Sequence, residues 1–364
     1  MNDENLPRGS SGNPFDPREL RLKQIRREAE EKGRIESPGV QPLNAPFPLA
    51  SPSTGYYGMP ALKTPAWTWE VPVYFFTGGA AGAAAVIASV AKITGADPRL
   101  VRDARWLAAI GGAISPVLLI TDLGMPTRFF HMLRVFKMQS PMSVGSWTLV
   151  AFSSSAAGAA FLSSIENKRN RNGAICVLEN AAEFVSLITG VVLSTYTGVL
   201  IGATAIPVWN KNVGLLPVHF SASGMATAAA ILELRGHDSS ALHVIGMAST
   251  MGEFVARAAV ELRKDPALNP LKRGKSGWIT RVAGFLSGPL PLILRILSMI
   301  GDKKHSKKLR KVAAISSVAG SLATRFAWIE AGKASARDPR VALDISSQAQ
   351  WPEHTPRKAA AIES

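Results

Sequence analysis

Eight long apolar blocks divide this chain, and they constrain its fold more than any motif does. They are Val71–Ala91, Trp106–Thr121, Val144–Ile165, Ala174–Gly202, Val213–Leu232, Ala241–Val260, Trp278–Ile300 and Val312–Ile329. Each is roughly the ~20 residues that a helix needs to cross ~30 Å of hydrocarbon. They are rich in Gly, Ala, Ser and Thr, which lets helices approach closely in lipid. The short alternating segments of a transmembrane barrel are missing. The pattern predicts an all-α polytopic membrane protein with eight transmembrane helices, packed as two four-helix bundles with polar tails.

The blocks divide the chain into a polar tail over 1–66, a membrane domain over 67–332 and a second polar tail over 333–364. The first tail holds one helical stretch, "DPRELRLKQIRREAEEKG", with Asp16 as cap, Pro17 at the first helical position and Gly33 as stop. Its apolar positions are few, so it reads as a solvated tail or as a docking helix for a partner subunit. The first apolar run begins at Val71, far past the window of a signal peptide. A net charge of +15 raises the possibility of nucleic-acid binding. The bases, however, sit between and beside the apolar blocks, where they contact lipid headgroups and set orientation. Membrane lipid is therefore an expected partner and nucleic acid is not. Eight spans place both termini on one face. Lys and Arg in the short loops favour the opposite face, chiefly through "KKHSKKLRK" at Lys303–Lys311, which points to termini outside the cytoplasm.

The polar residues inside and beside the spans carry the chemistry. Antiparallel folding brings Trp69, Glu70 and Tyr74, at the start of the first span, to the same face as Asp122, Arg128 and His131 after the second. Tyr196, Trp209, His219, Arg325 and Glu330 reach that face from later spans. Acids, a phenol and imidazoles together supply the hydrogen-bond partners and proton sources that a quinone headgroup requires. Deeper in the chain, Glu179 and Glu183 lie one turn apart on one face. Two adjacent acids cannot neutralise each other, so they are expected either in a proton path or near the headgroups. Glu253 and Arg257 repeat the spacing, as a neutralising pair or as part of the same path. Intramembrane charges are costly and normally face a protein interior or water. His219 and His243 fall at different depths, so the paired axial ligands of a transmembrane haem are not expected. The single cysteine, Cys176, excludes a disulfide framework and an iron–sulfur cluster held by this chain. No metal site is expected.

The stretch "DLGMPTRFFHMLRVFKMQSPMSVGSW", Asp122–Trp147, resembles the central signature of the NrfD/polysulphide reductase membrane-subunit (PsrC-like) family. "PAWTWEVPVYFFTGGAAGA", "STYTGVLIGATAIPVWN" and "LLPVHFSASGMATAAAILEL" are similar to its other landmarks, so the resemblance runs from about Gly55 to Asp338. It implies an eight-helix, haem-free subunit of a respiratory oxidoreductase complex in a bacterial cytoplasmic (inner) membrane. Such a subunit exchanges electrons between quinone or quinol (menaquinone or ubiquinone) and a ferredoxin-like iron–sulfur subunit. That partner connects in turn to a molybdopterin or multihaem catalytic subunit. By position the resemblance implicates Trp69, Glu70, Tyr74, Asp122 and Arg128 at the quinone. One departure is Met125, where the signature commonly has Arg; it removes a base beside Asp122.

On this reading Tyr196 adds to the quinone-binding set, Glu179, Glu183, Glu253 and Arg257 serve a proton path, and His131, Arg134 and Lys137 dock the partner. Two other readings remain: a secondary transporter, which also places acids in its spans, and a passive anchor for a redox enzyme. Transporters often show inverted repeats, and no matched halves are evident here.

Overall fold

The computed structural model describes residues 62–165, 173–300 and 303–338, together with Gln24 and Arg27, both helical and exposed. The rest of the tail helix expected over Asp16–Gly33 lies outside the described residues, as do the ends of both tails. The described chain is helical, with no strand among the described residues. Its long helices are α1 (Glu70–Ile93), α2 (Pro98–Asp122), α4 (Pro141–Ile165), α5 (Gly173–Gly202), α7 (Leu215–Leu234), α8 (Ser240–Leu262) and α12 (Lys303–Arg337). Short helices α3 (Pro126–Leu133), α6 (Pro207–Asn210) and α9 (Asn269–Lys272) fill the loops, and α10 (Gly274–Ser287) with α11 (Pro289–Ile300) makes the seventh span.

Among the described residues, seven helices are long and apolar enough to cross a membrane, counting α10 and α11 as one. The eight-span expectation differs at α8. This helix has 23 residues, enough to span, but His243, Glu253 and Arg257 dilute its apolar character. The seventh span also departs from the continuous block expected over Trp278–Ile300, because it is interrupted at Gly288 (φ −111°, ψ −88°). Pro289 and Pro291 have no N–H to offer, so the carbonyls of Phe285 and Ser287 lose their helical partners. The eighth span is longer than its apolar block: α12 runs 35 residues, roughly 52 Å at 1.5 Å per residue. Its basic first turns therefore extend past the hydrocarbon.

Helices α1, α2, α4 and α5 pack as one bundle, and α7, α8, α10/α11 and α12 as a second. Helix α1 joins them, touching α7 and α12 as well as its own bundle. The sequence Gly-Gly-Ala-Ala-Gly-Ala-Ala-Ala within α1 permits this. A Cβ on Gly82 would lie 2.4 Å from the Gly190 carbonyl oxygen of α5, and one on Gly224 of α7 would lie 2.8 Å from the Gly79 carbonyl oxygen. Lipid tails give helices no hydrophobic reason to associate, so backbone-to-backbone contact of this kind supplies the packing energy.

Above α1, Trp67 stacks on Trp209 with centroids 5.3 Å apart. The Trp209 Nε1 donates to the Trp328 carbonyl at 2.9 Å. The segment leading into α1 is thereby tied to both α6 and α12.

Replacing Gly82 with Leu should lower the stability of the folded chain in detergent by about 1–3 kcal/mol or more through overpacking. Gly158→Ala, whose Cβ would meet only Ala182 at 3.8 Å, should leave it nearly unchanged. Thermal denaturation of the two variants checks the contrast.

Candidate functional site

The site on the face where α1 begins is built by three local features. The first is the turn after α2. Leu123 N–H donates to Leu119 O and Gly124 N–H to Thr121 O, both at 3.2 Å. Gly124 takes φ +67°, which only glycine adopts freely. Met125 is extended (φ −128°, ψ 109°), as a residue before proline must be, and Pro126 starts α3. The Asp-Leu-Gly-x-Pro order is thus a helix stop followed directly by a helix start, and it leaves Asp122 at the last position of α2.

The second feature is the lead-in to α1. The Thr68 hydroxyl donates to the Glu70 carboxylate and reaches Asp122 Oδ1 at 3.4 Å. Two acids from successive spans therefore share one hydroxyl, as antiparallel folding led one to expect. Thr68 itself escaped the sequence reading, although a hydroxyl two residues before an acid at a helix start was the available signal. Trp69 is 60% exposed beside this pair. Tyr74 is buried one turn deeper, with its ring 5.6 Å from that of Phe75. Below it, the Thr77 and Ser115 hydroxyls meet at 3.2 Å and link α1 to α2.

The third feature is the loop of α3 and the turn after it. Phe129 is buried, while Arg128, Phe130, His131, Arg134, Phe136 and Lys137 are exposed. The loop is held in shape: Lys137 N–H donates to Ser143 Oγ at 3.0 Å, and Ser143 Oγ donates to Val135 O at 3.1 Å. Tyr196 is buried and spends its hydroxyl on the Pro141 carbonyl at the start of α4. A Cβ on Gly145 would collide with the Tyr196 ring, which explains the glycine in the Ser-Pro-Met-Ser-x-Gly-x-Trp run.

The other sequence-predicted acids lie elsewhere. Glu179 and Glu183 are at the far face, and they are not unneutralised. Arg105 of α2 bonds Glu179 at 2.8 Å and Glu183 at 2.7 Å. Lys92 of α1 bonds Glu183 at 2.5 Å and the Asn180 side chain at 2.7 Å. Sequence reasoning considered the two acids only against each other, and so missed the bases that tertiary packing brings from other helices. A small cavity beside them is lined by Ser89, Arg105, Glu183 and Ser186.

A second far-face network was also missed. Arg295 of α11 grips Glu233 of α7 with two bonds of 2.6 and 2.8 Å. His243 lies between Glu233 at 3.0 Å and Asp238 at 2.6 Å, and Arg310 bonds Asp238 at 2.6 Å. The hydrogen bond from His243, aided by Arg310 and Lys307, outweighs burial and holds the Asp238 carboxyl below its ordinary value.

Glu253 and Arg257 are not a neutralising pair. No ion pair within 4.0 Å joins them among the described residues, and Arg257 donates instead to the Thr280 carbonyl. No group of three or more metal-ligating side chains occurs among the described residues.

These features define a class: a multi-pass helical membrane protein with an acidic pair and a shaped basic loop on one membrane face. The family model described as polysulfide reductase, NrfD_2, matches residues 53–337, and the chain belongs to that family. It is thereby a membrane subunit of a redox enzyme. No curated protein matches the chain.

Removing one partner of a buried ion pair leaves the other charge stranded, which costs about 3–5 kcal/mol. Arg105→Ala should therefore destabilise the chain by roughly that amount, and Arg105→Lys by less, in thermal denaturation. For Asp238, a lowered folded-state value means that its stabilisation is present above the ordinary carboxylate range and is lost as pH falls through the lowered one. Asp238→Asn should flatten the acid side of the stability–pH curve.

Proposed function

We propose that the chain exchanges electrons between membrane quinone or quinol and a separate ferredoxin-like iron–sulfur subunit, which serves a molybdopterin or multihaem catalytic subunit. The observation that carries this reading is the Glu70–Thr68–Asp122 cluster, two carboxyls on one hydroxyl at the membrane face. Membership of the polysulfide reductase family supports it.

The donor set suits a quinone headgroup. Carboxylates accept from the quinol hydroxyls, a hydroxyl or protonated carboxyl donates to the quinone oxygens, and exposed Trp69 offers a surface to the ring. A quinol bound there supplies two electrons and two protons. Glu70 and Asp122 accept the protons, a general-base role that needs a carboxyl within hydrogen-bond reach. Thr68 orients both acids, and Tyr74 backs the site from one turn below. In the reverse direction the same carboxyls return protons. Arg128 is exposed in α3, the helix that follows Asp122.

The partner docks on the loop that presents His131, Arg134 and Lys137. Rim charges of this kind steer association and fix orientation, and exposed Phe130 and Phe136 add apolar contact. Glu179 and Glu183, beside their polar cavity, exchange protons at the far face. That face is cytoplasmic on the Lys and Arg distribution of the short loops, with the chain in a bacterial cytoplasmic membrane.

Asp122→Asn and Glu70→Gln should each lower quinol-linked reduction by the assembled complex by about 10²-fold, the lower end for losing a general base. Unchanged turnover in both, with the complex intact by gel filtration, overturns the assignment. Reversing charge at Arg134 and Lys137 together should weaken partner binding in a salt-dependent way while leaving quinol affinity unchanged.

A further inference from the structure

A second buried polar centre lies in the α7–α12 bundle, away from the Glu70–Asp122 acids, and it gives a setting to the proton-path role that the sequence suggests for Glu253. Glu253 is on the inward face of α8, in line with Leu242, Gly246, Thr250, Ala256 and Val260. It is 1% exposed, and neither carboxyl oxygen has a hydrogen-bond partner. Arg325 of α12 is equally buried. Its Nη2 donates to the Phe220 carbonyl at 3.0 Å, and the guanidinium sits over the Phe220 ring at 4.0 Å. Its Nε and Nη1 are without partners. His219 of α7, 3% exposed, leaves Nδ1 unpartnered as well. The Ser223 and Ser287 hydroxyls face the carboxyl from α7 and from the interruption of the seventh span.

A buried cluster of polar atoms without protein partners is physically expensive. An unpaired polar group in an apolar interior costs several kcal/mol, and an unpaired charge costs more. Native proteins resolve such clusters with ordered water, which needs two to four polar partners. Glu253, Arg325, Ser223 and Ser287 supply them. The interrupted helix adds the backbone carbonyls that Pro289 and Pro291 leave without helical donors, as discontinuous membrane helices do around ion sites.

A cavity also borders this centre on one side, at His219. A small cavity lined by His219, Arg257, Glu261, Thr280 and Trp328 lies between this centre and the face where α8 ends. Glu261 is exposed at that end. His219 lines the cavity, and its ring approaches the backbone carbonyl of Glu253. Toward the far face, Arg295 packs against α8. A Cβ on Gly246 would lie 2.8 Å from Arg295, and Arg295 is held by both oxygens of Glu233.

We propose that Glu253 is a reversible proton-binding site in a water-holding chamber that opens toward the face of Arg257 and Glu261. The proton arrives from water in the cavity, passes by way of the His219 region to the Glu253 carboxyl, and leaves by the same route. Arg325 supplies the counter-charge when Glu253 is ionised. No oxidation or reduction is involved, and the site is independent of quinone binding.

The test is infrared difference spectroscopy of the purified full chain in lipid nanodiscs, on exchange from H2O to D2O. The expected result is a carboxylic C=O band that is missing in Glu253→Gln, moves in Glu253→Asp and shifts in D2O. Thr280→Leu, which fills the cavity, should slow that shift by about tenfold or more by limiting access to solvent-open states. Absence of the band from neutral to acidic pH would show a permanently ionised Glu253 and overturn the proposal. So would a band that stays unshifted after the loop amides have exchanged, because the centre would then be dry.

Discussion

The close approach of α1 to α5 and α7 is the contact on which the rest of this structure depends. Gly79 and Gly82 bring α1 into backbone contact with both helices, and no larger residue fits between Gly82 and Gly190. Helix α1 is consequently central, touching both bundles. Its two ends then serve different purposes. At one end Glu70 meets Asp122 through Thr68; at the other, Lys92 meets Glu183. If α1 sat a side chain's width further out, neither contact would form, because each spans only one hydrogen bond.

Charge is distributed by depth. The far face holds two ionic networks in which each acid meets a base, Arg105 with Glu179, Glu183 and Lys92, and Arg295 with Glu233, His243 and Asp238. Their geometry is compact and their residues come from different helices, so they fix helix positions as well as neutralise charge. The opposite face presents its acids on a shared hydroxyl and its bases on an exposed loop, an arrangement open to ligands and partners. Between them, Glu253, Arg325 and His219 keep unpartnered atoms. The far-face acids each bond a base, whereas neither oxygen of Glu253 has a hydrogen-bond partner.

Much of this was legible in the chain. The apolar blocks specify spans because each must satisfy its own backbone in lipid. The Asp122–Trp147 run specifies its turn, since glycine at φ +67° and a proline start admit few other conformations. The meeting of Glu70 with Asp122 follows from antiparallel order alone. What could not be read was side-chain partnership across helices. The i, i+4 spacing of Glu253 and Arg257 suggested a pair, but Arg257 found the Thr280 carbonyl instead. Glu179 and Glu183 looked unneutralised because Lys92 and Arg105 are more than seventy residues away. The prolines at 289 and 291 were visible, yet their effect on the seventh span emerged only with the helix in place.

By itself, then, the sequence determined the helical membrane class, the order and direction of the spans, and which residues reach each face. Those properties depend on local hydropathy and on helix geometry, which neighbouring residues settle among themselves. Only the tertiary structure decided which charges are paired, where glycine allows backbones to touch and which polar atoms remain open. Those depend on the packing of helices distant in the chain, for which spacing along one helix carries no information.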